Sequence, residues 1–159
     1  MAVVLPEPTL VVPSTPFPKH GHIGADEWLI SFGAPAKIWS INERMHWAQS
    51  GALRSTWREG TAKAARGLRP KPGRWYIQVS LPFRRDSERR DPHNFTGTVV
   101  KSIIDGLGPP TDESPGAGLW PDDIPEYVVM GDPIIRICPR GAFPHLVVGV
   151  HGMRLEQRT

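Results

Sequence analysis

Proline and glycine divide this chain into short segments. The 159 residues include 18 prolines and 16 glycines, about a fifth of the chain. Proline interrupts helices and central strands, and glycine favours turns, so regular structure is restricted to the stretches between them. A chain of this length with 39% hydrophobic and 22% charged residues can form one packed core. We therefore expect a single globular domain with long ordered loops.

Short runs of aromatic and β-branched residues predict the strands. Such runs, bounded by glycine or proline, are typical of strands in a partly buried sheet. They occupy residues 28–32, 75–81, 127–130, 134–137 and 146–150. Pro82 is expected to end the second of them. Residues 1–24 instead carry five prolines and little periodicity, so we expect a proline-rich amino-terminal arm there and a folded domain over residues 25–159.

Two stretches have the periodicity of amphipathic helices. Between residues 50 and 67, apolar positions recur every three or four residues, at Leu53, Trp57, Gly60 and Ala64. With basic residues at other positions, this spacing predicts a basic amphipathic helix. A second helix is predicted over residues 95–107, before a helix-breaking Gly-Pro-Pro. Because the helices alternate with strands, we expect an α+β fold, a single domain with a mixed β-sheet and two main helices packed on it.

Charge is distributed unevenly along the chain. Residues 37–74 contain nine basic and two acidic residues, a net charge of +7. Residues 101–132 contain one basic and seven acidic residues, a net charge of −6. A metal-dependent enzyme that acts on phosphates needs both a basic face for its polyanion and a group of carboxylates. The alternative interpretation is a solvated surface with uneven charge.

Cysteine content and hydropathy restrict where the protein could act. Cys138 is the one cysteine, so an internal disulfide and a zinc ribbon built on paired cysteines are excluded. We recognise no run of roughly 20 apolar residues that would span a membrane, and no basic-then-apolar leader. We therefore expect a soluble, cytoplasmic protein without a membrane partner.

Acidic residues occur in two short motifs that could hold a metal ion. Asp91 and His93 are separated by one residue, so in extended backbone both side chains project from one face and could reach one ion. Asp122 and Asp123 precede a predicted strand, and because adjacent side chains point apart, we expect only one of them to bind the ion directly. Turn and helix-capping roles are the alternative interpretation of both motifs.

Basic residues lie next to these acidic motifs. Lys101 precedes Asp105 by four residues, which indicates either an exposed ion pair or a cation that stabilises an attacked phosphodiester. Four arginines closely precede Asp91, where they would bind nucleic-acid phosphates without reading the base sequence. They are Arg84, Arg85, Arg89 and Arg90.

The chain is rich in tryptophan, with six residues of this type. Several could be interpreted as a platform for base stacking. Buried packing is the commoner role of tryptophan, particularly at Trp57 and Trp75, which fall on apolar faces of predicted elements. We therefore include no tryptophan in the candidate site.

Three motifs in order resemble one enzyme family. RRDPHN at residues 89–94, KSIIDGL at residues 101–107 and GAGLWPDD at residues 116–123 resemble the RusA family of Holliday-junction resolvases, which are endonucleases of bacteria and their phages. The sequence WSIN at residues 39–42 resembles the family's Ser-x-Asn element. The resemblance spans roughly residues 28–150.

The resemblance implies a set of site residues. Asp91 and Asp123 would be metal-binding carboxylates, Lys101 the catalytic lysine, and Asn94 an asparagine beside the site. His93 stands where the family usually has its second aspartate, so it is the expected third ligand, and Asp122 matches a further acidic position. Because imidazole is a softer ligand than carboxylate, affinity for Mg²⁺ should fall relative to Mn²⁺.

The insertion between two of the motifs is a second departure from the family pattern. Four extra residues separate Asn94 from Lys101 compared with the family's usual spacing. The inserted stretch contains Gly97. We expect a looped-out start to the second helix that still brings Lys101 to the site.

The resulting hypothesis is a metal-dependent endodeoxyribonuclease that resolves four-way DNA junctions by paired nicks. Asp91, His93 and Asp123 would hold Mg²⁺ or Mn²⁺, and Lys101 would stabilise the reacting phosphate. The near-twofold symmetry of a junction suits a homodimer. One alternative is a catalytically weakened or inactive branched-DNA-binding protein of the same fold. Another is a structural zinc protein with ligands from His20, His22, His93, His145, His151 or Cys138.

Overall fold

The computed structural model describes residues 18–84, 91–138 and 146–155 of the chain. In these ranges the strands are β1 (Lys19–Gly24), β2 (Glu27–Gly33), β3 (Trp75–Phe83), β4 (Val128–Met130), β5 (Ile134–Ile137) and β6 (Val147–Arg154). The helices are α1 (Trp47–Ala64) and α2 (Lys101–Leu107). This mixed sheet with two helices confirms the predicted α+β fold as a single domain.

The chain makes a crossover connection between the parallel strands β3 and β4. Its strand order is β1-β2-β6-β3-β4, and β5 pairs with the same side of β3 as β4 does. Both β4 and β5 run parallel to β3, whereas the other pairs are antiparallel. Parallel neighbours cannot be joined by a tight turn. The chain after β3 therefore returns over the sheet, and this return carries the motif at residues 91–94 and α2.

Both helices pack on one face of the sheet. Trp57 of α1 is fully buried, and its ring lies edge-on to Phe32 of β2, with ring centroids 6.4 Å apart. Ile103 and Leu107 of α2 are also fully buried in the same core cluster. The predicted apolar face of α1 is thus confirmed at Trp57 and Ala64. In the part of the chain that the structure describes, neither helix is long and apolar enough to cross a membrane.

Two strands are longer than the sequence indicated. β3 continues through Pro82 to Phe83, because at Pro82 it pairs only with β5; its pairing with β6 ends at Ser80. Proline has no N–H to donate, so it is tolerated where one side of the strand is free. β6 continues beyond residue 150 to Arg154. Gly152 in this extension has no Cβ, which leaves room for the ring of Trp28 from β2.

The prediction of a proline-rich arm over residues 1–24 is wrong for the last six of these residues. Residues Lys19–Gly24 form β1, which pairs antiparallel with β2. All six residues are exposed, so this edge strand has no alternating apolar pattern by which the sequence could have indicated it. Residues 1–17 lie outside the described residues.

Helices α1 and α2 approach each other closely at Gly106. A side chain at this residue is therefore expected to reduce stability. A Cβ at Gly106 would lie 2.6 Å from the backbone oxygen of Arg58 and 2.9 Å from Cβ of Thr61 in α1. We expect Gly106→Ala to lower the free energy of unfolding by about 1–3 kcal/mol because the helices must separate. Urea unfolding measures this change.

Gly51 provides the matched control for Gly106. It lies within α1, is exposed, and a Cβ there would meet no atom within 4 Å. Gly51→Ala should therefore raise the free energy of unfolding by roughly 0.5–1 kcal/mol through helix propensity alone. Equal effects of the two substitutions would contradict the close approach of the helices at Gly106.

Candidate active site

One face of α2 presents the polar residues of the second motif. Lys101 and Asp105 are separated by one helical turn, and Gly108 follows just beyond the carboxyl end of the helix on the same side. Nζ of Lys101 donates a hydrogen bond to Oδ1 of Asp105 over 2.8 Å. Both side chains are partly exposed, so the pair is accessible from solvent. The predicted i, i+4 pair is therefore formed on the helix surface.

The loop after α2 is fixed to the end of the helix by backbone hydrogen bonds. Backbone N–H groups of Ala117, Gly118 and Leu119 donate to the carbonyl oxygens of Gly106, Gly108 and Leu107, over 2.8–2.9 Å. These bonds satisfy carbonyl groups that a helix end leaves without intrahelical partners. The third motif is thereby held against α2.

Asp123 lies against the polar face of α2. Nε1 of the buried Trp120 donates to Oδ1 of Asp123 over 2.5 Å. A Cβ at Gly108 would overlap the Asp123 carboxyl group, so the absence of a side chain at Gly108 creates the space for it. The carboxyl group of Asp105 is within hydrogen-bonding reach, and Lys101 is close enough to interact electrostatically. The structure therefore brings together Lys101, Asp105 and Asp123 from two motifs.

The surroundings of Asp123 raise the pKa of its carboxyl group. Burial is the largest cause, and the neighbouring Asp105 acts in the same direction. The hydrogen bond from Trp120 and the charge of Lys101 oppose this shift. Two carboxyl groups beside one lysine thus form a site with an excess of negative charge.

This raised pKa predicts how Asp123 affects stability. The native state disfavours the ionised carboxylate, so stability falls as pH rises from the unfolded pKa through the raised native pKa. Asparagine removes the charge and keeps an Oδ1 that can accept from Trp120. In EDTA, we expect the Tm of Asp123→Asn to equal or exceed that of the wild type at neutral pH. The difference should shrink as the pH approaches the unfolded value of 3.8. Thermal unfolding across pH checks this expectation, and a clearly lower Tm at neutral pH would contradict it.

The first motif forms a short turn before α2. Oδ1 of Asp91 accepts a hydrogen bond from the backbone N–H of His93 over 3.0 Å and caps a 3₁₀ turn, Pro92–Phe95. Asp91 and His93 are exposed. The backbone oxygen of Asn94 accepts from the N–H of Ile41 over 2.9 Å, which joins the first motif to the WSIN segment. The capping interpretation of Asp91 is therefore correct, and this role uses Oδ1 of its carboxylate.

The inserted residues widen the helix instead of forming a loop. Thr96–Val100 make one π-helical turn that contains Gly97 and leads directly into Lys101. A π turn accommodates extra residues without ending the helix. The expectation of a looped-out segment was wrong, while the predicted helical region over 95–107 is confirmed in extent.

The remaining predicted residues are more dispersed. The Nδ1 of His93 lies 3.3 Å from Oδ1 of Asp132, in the link between β4 and β5. Oδ1 of Asp122 accepts from the backbone N–H of Asp123, and its side chain is exposed. Arg84 is exposed at the end of β3. The other three predicted arginines, Arg85, Arg89 and Arg90, lie outside the described residues.

Metal ligands do not form a closed group in this conformation. Among residues 18–84, 91–138 and 146–155, no three His, Cys, Asp or Glu side chains lie close enough together to hold an ion. The shared ion between Asp91, His93 and Asp123 therefore stays a prediction. Of the alternative zinc ligands, His145 lies outside the described residues. The ring of His20 contacts the backbone oxygen of Arg66, and that of His151 contacts Glu27 inside the sheet.

Sequence reasoning missed three residues of this site. Trp120 was assigned to packing, although it precedes Asp123 by one turn and its ring N–H needs an acceptor when buried. Gly108 was interpreted only as a helix stop. Asp132 lies outside all three motifs, and its proximity to His93 depends on how the crossover returns to the sheet, so no local signal could have indicated it.

Comparison with known proteins leaves the family of this chain open. No protein-family model matches the chain, and no curated protein matches it. Among solved structures, it is similar to a chain of the "Crystal structure of HypE-HypF complex", at 11% sequence identity and a TM-score of 0.35. The similarity covers 87% of this chain and 36% of that chain.

Proposed function

We propose that this protein is a metal-dependent endodeoxyribonuclease that resolves four-way DNA junctions by paired nicks. The observation that carries the proposal is the contact between two motifs about twenty residues apart. Asp123 of the third motif lies beside the Lys101–Asp105 pair of the second. The resemblance to RusA resolvases implies Lys101 and Asp123 as site residues. We expect it to act in the cytoplasm of a bacterial or phage-infected host cell.

The residues on this face suit a hard divalent cation. Asp105 and Asp123 place two carboxyl groups within hydrogen-bonding reach of each other, and burial raises the pKa of Asp123. A cation would relieve this concentration of negative charge, and oxygen ligands are those that Mg²⁺ and Mn²⁺ prefer. On the resemblance, we assign the ion to Asp91, His93 and Asp123, with Asp122 as a further candidate ligand. When bound, the ion would activate water and polarise the scissile phosphate.

The protein's own groups position the phosphate and the ligands. Nζ of Lys101 has three N–H donors, of which Asp105 accepts one. No other acceptor for them is found in the described ranges, and phosphate oxygens bound there would let Lys101 stabilise the charge that develops during attack. Asp105 orients Lys101, and Trp120 holds the carboxyl group of Asp123. Both are positioning residues.

Arginines and helix α1 would hold the DNA. Arg84, Arg85, Arg89 and Arg90 precede the first motif, and α1 carries Arg54, Arg58 and Lys63. Such cations bind backbone phosphates independently of sequence. A four-way junction is nicked on two strands related by near-twofold symmetry, so a homodimer would supply one site for each strand.

One observation favours the alternative of junction binding without cleavage. The ring of His93 faces Asp132, not Asp123. A histidine engaged in this pair would leave the ion with fewer ligands from the first motif. The protein would then bind branched DNA through its basic residues and cleave weakly or not at all.

The deciding experiment is cleavage of a labelled synthetic four-way junction by the full chain. Parallel reactions contain Mn²⁺, Mg²⁺ or EDTA, with a linear duplex of the same arm sequence as control. We expect symmetric nicks in the junction alone, faster with Mn²⁺ than with Mg²⁺, and none in EDTA. Binding without nicks in either metal would support the alternative. Absence of both binding and nicking would reject both functions.

A further inference from the structure

Trp47 is exposed in a way that sets it apart from the other tryptophans. Its side chain is 80% exposed at the first residue of α1. The other five tryptophans also lie within the described residues, and each is at most 3% exposed: Trp28, Trp39, Trp57, Trp75 and Trp120. Buried packing, the commoner role of tryptophan, therefore does not apply to Trp47. A single exposed apolar residue needs no explanation, so the neighbours of Trp47 decide whether it marks a binding surface.

One other aromatic ring lies against Trp47. It is the ring of His46, with ring centroids 5.5 Å apart and the planes inclined by 35°. His46 is itself exposed. We call the exposed pair of His46 and Trp47 the Trp47 patch.

Helical geometry places Trp47 on the side of α1 that contacts the π turn before α2. Trp47, Arg54 and Arg58 are spaced at i, i+7 and i+11, so they lie along one side of α1. Arg54 donates to the backbone oxygen of Gly97 over 3.1 Å, and Arg58 donates to that of Pro115 over 3.0 Å. This side of α1 therefore faces the π turn that leads into Lys101. Trp47 lies about 10 Å further along the helix axis than Arg54.

The segment that leads into the Trp47 patch is bonded to the first motif. The N–H of Ile41 in this segment donates to the backbone oxygen of Asn94. Trp47 is the sixth residue after Ile41, so their Cα atoms are at most about 20 Å apart. A nucleic-acid strand with a phosphate near Asn94 would pass within a few nucleotides of the indole ring.

The charges around the patch favour a polyanion. Glu43 is the one acidic residue between residues 37 and 58, and its carboxylate is paired with Nζ of Lys37 over 2.5 Å. Arg44 is exposed. The guanidinium group of Arg54 uses one donor on Gly97 and retains others for phosphate oxygens. Neither arginine forms an ion pair with an acidic residue in the part of the chain that the structure describes. An aromatic face near such cations is an arrangement that binds unpaired nucleotides, because the base stacks while its phosphate is bound.

We propose that Trp47 stacks on an unpaired base of branched DNA at the point where the strands exchange. The inference rests on the proposed function and names the part of the DNA that this surface recognises. Paired bases inside a duplex are already stacked on both faces, so Trp47 would contribute to binding only where a base is free. It would thereby distinguish a junction from a linear duplex.

The first test uses the fluorescence of Trp47. Iodide quenches exposed indoles, so in free wild-type protein it should quench mainly Trp47, and Trp47→Phe should remove this component. A four-way junction or a short oligothymidine should protect the component from iodide, whereas a linear duplex should not. Protection that appears with rising protein concentration in the absence of DNA would instead mean that a second copy covers the patch, and would overturn the proposal.

The second test measures affinity. Trp47→Ala should weaken binding to the junction and to oligothymidine by roughly 5- to 100-fold, and Trp47→Phe by less, with duplex binding unchanged. Unchanged affinity of the alanine variant, or an equal loss on duplex, would overturn the proposal. Nicking by the wild-type protein is measured separately. If the Trp47 substitutions weaken junction binding but the wild type does not nick, the stacking role is retained and the nuclease function is refuted.

Discussion

Asp123→Asn is expected to lower the rate of junction nicking by about 100-fold or more, while junction binding in EDTA persists. The substitution replaces a carboxylate oxygen by an amide nitrogen and removes the charge that would attract a divalent cation. The hydrogen bond from Trp120 can be kept by the amide oxygen, so the loop should stay in place. Nicking of a labelled junction in Mn²⁺, with binding followed by gel shift, measures both effects.

Asp122→Asn is the matched control for Asp123→Asn. Asp122 is exposed, and its Oδ1 accepts from the backbone N–H of Asp123, a role that an asparagine oxygen can fill. We expect nicking close to that of the wild type. The opposite ranking of the two variants would assign Asp122 as the direct ligand, and full activity of both would remove the third motif from the site.

Gly108→Ala is expected to lower nicking by about 10- to 100-fold with little loss of stability. The added methyl group would overlap the Asp123 carboxyl group and displace it. The backbone of Gly108 has φ −77° and ψ −164°, which alanine adopts without strain. Displacement of a catalytic group by about 1 Å is enough to cause such losses. Nicking rate and Tm, measured on the same preparation, separate the local effect from unfolding.

Gly97→Ala is the control for Gly108→Ala. A Cβ at Gly97 would meet no atom within 4 Å, although the residue lies in the π turn directly before α2. We expect nicking close to that of the wild type. A comparable loss in both variants would mean that glycine in this region acts through chain flexibility and not through the space it leaves for Asp123.

Helices were easier to predict from the sequence than strand ends. The three- and four-residue spacing of Leu53, Trp57 and Ala64 is local, so α1 could be predicted and is displaced by only three residues at each end. Strand ends depend on which neighbour lies alongside. Pro82 extends β3 because β5 pairs there, and β1 is exposed on every residue. Neither feature has a sequence pattern of its own.

The candidate site was predictable where its residues share a motif. Lys101 and Asp105 lie one helical turn apart, so their contact follows from spacing. Asp123 reaches them because residues 117–119 pair with the end of α2, a tertiary contact that only the resemblance to a family could suggest. The exposure of Trp47 could not be predicted either, because Trp47 precedes the predicted start of α1 at residue 50 and no local pattern there distinguishes an exposed indole from a buried one.

The contact between His93 and Asp132 changes how substitutions in the first motif should be interpreted. Histidine at residue 93 removes a negative charge from the motif, yet a carboxylate from a different stretch of chain lies 3.3 Å from its ring. The negative charge that is missing at residue 93 is thus supplied by Asp132, which is distant in the sequence but close in the fold. Related chains that carry a neutral residue at this position could be sorted by whether an acidic residue occurs between their last two parallel strands.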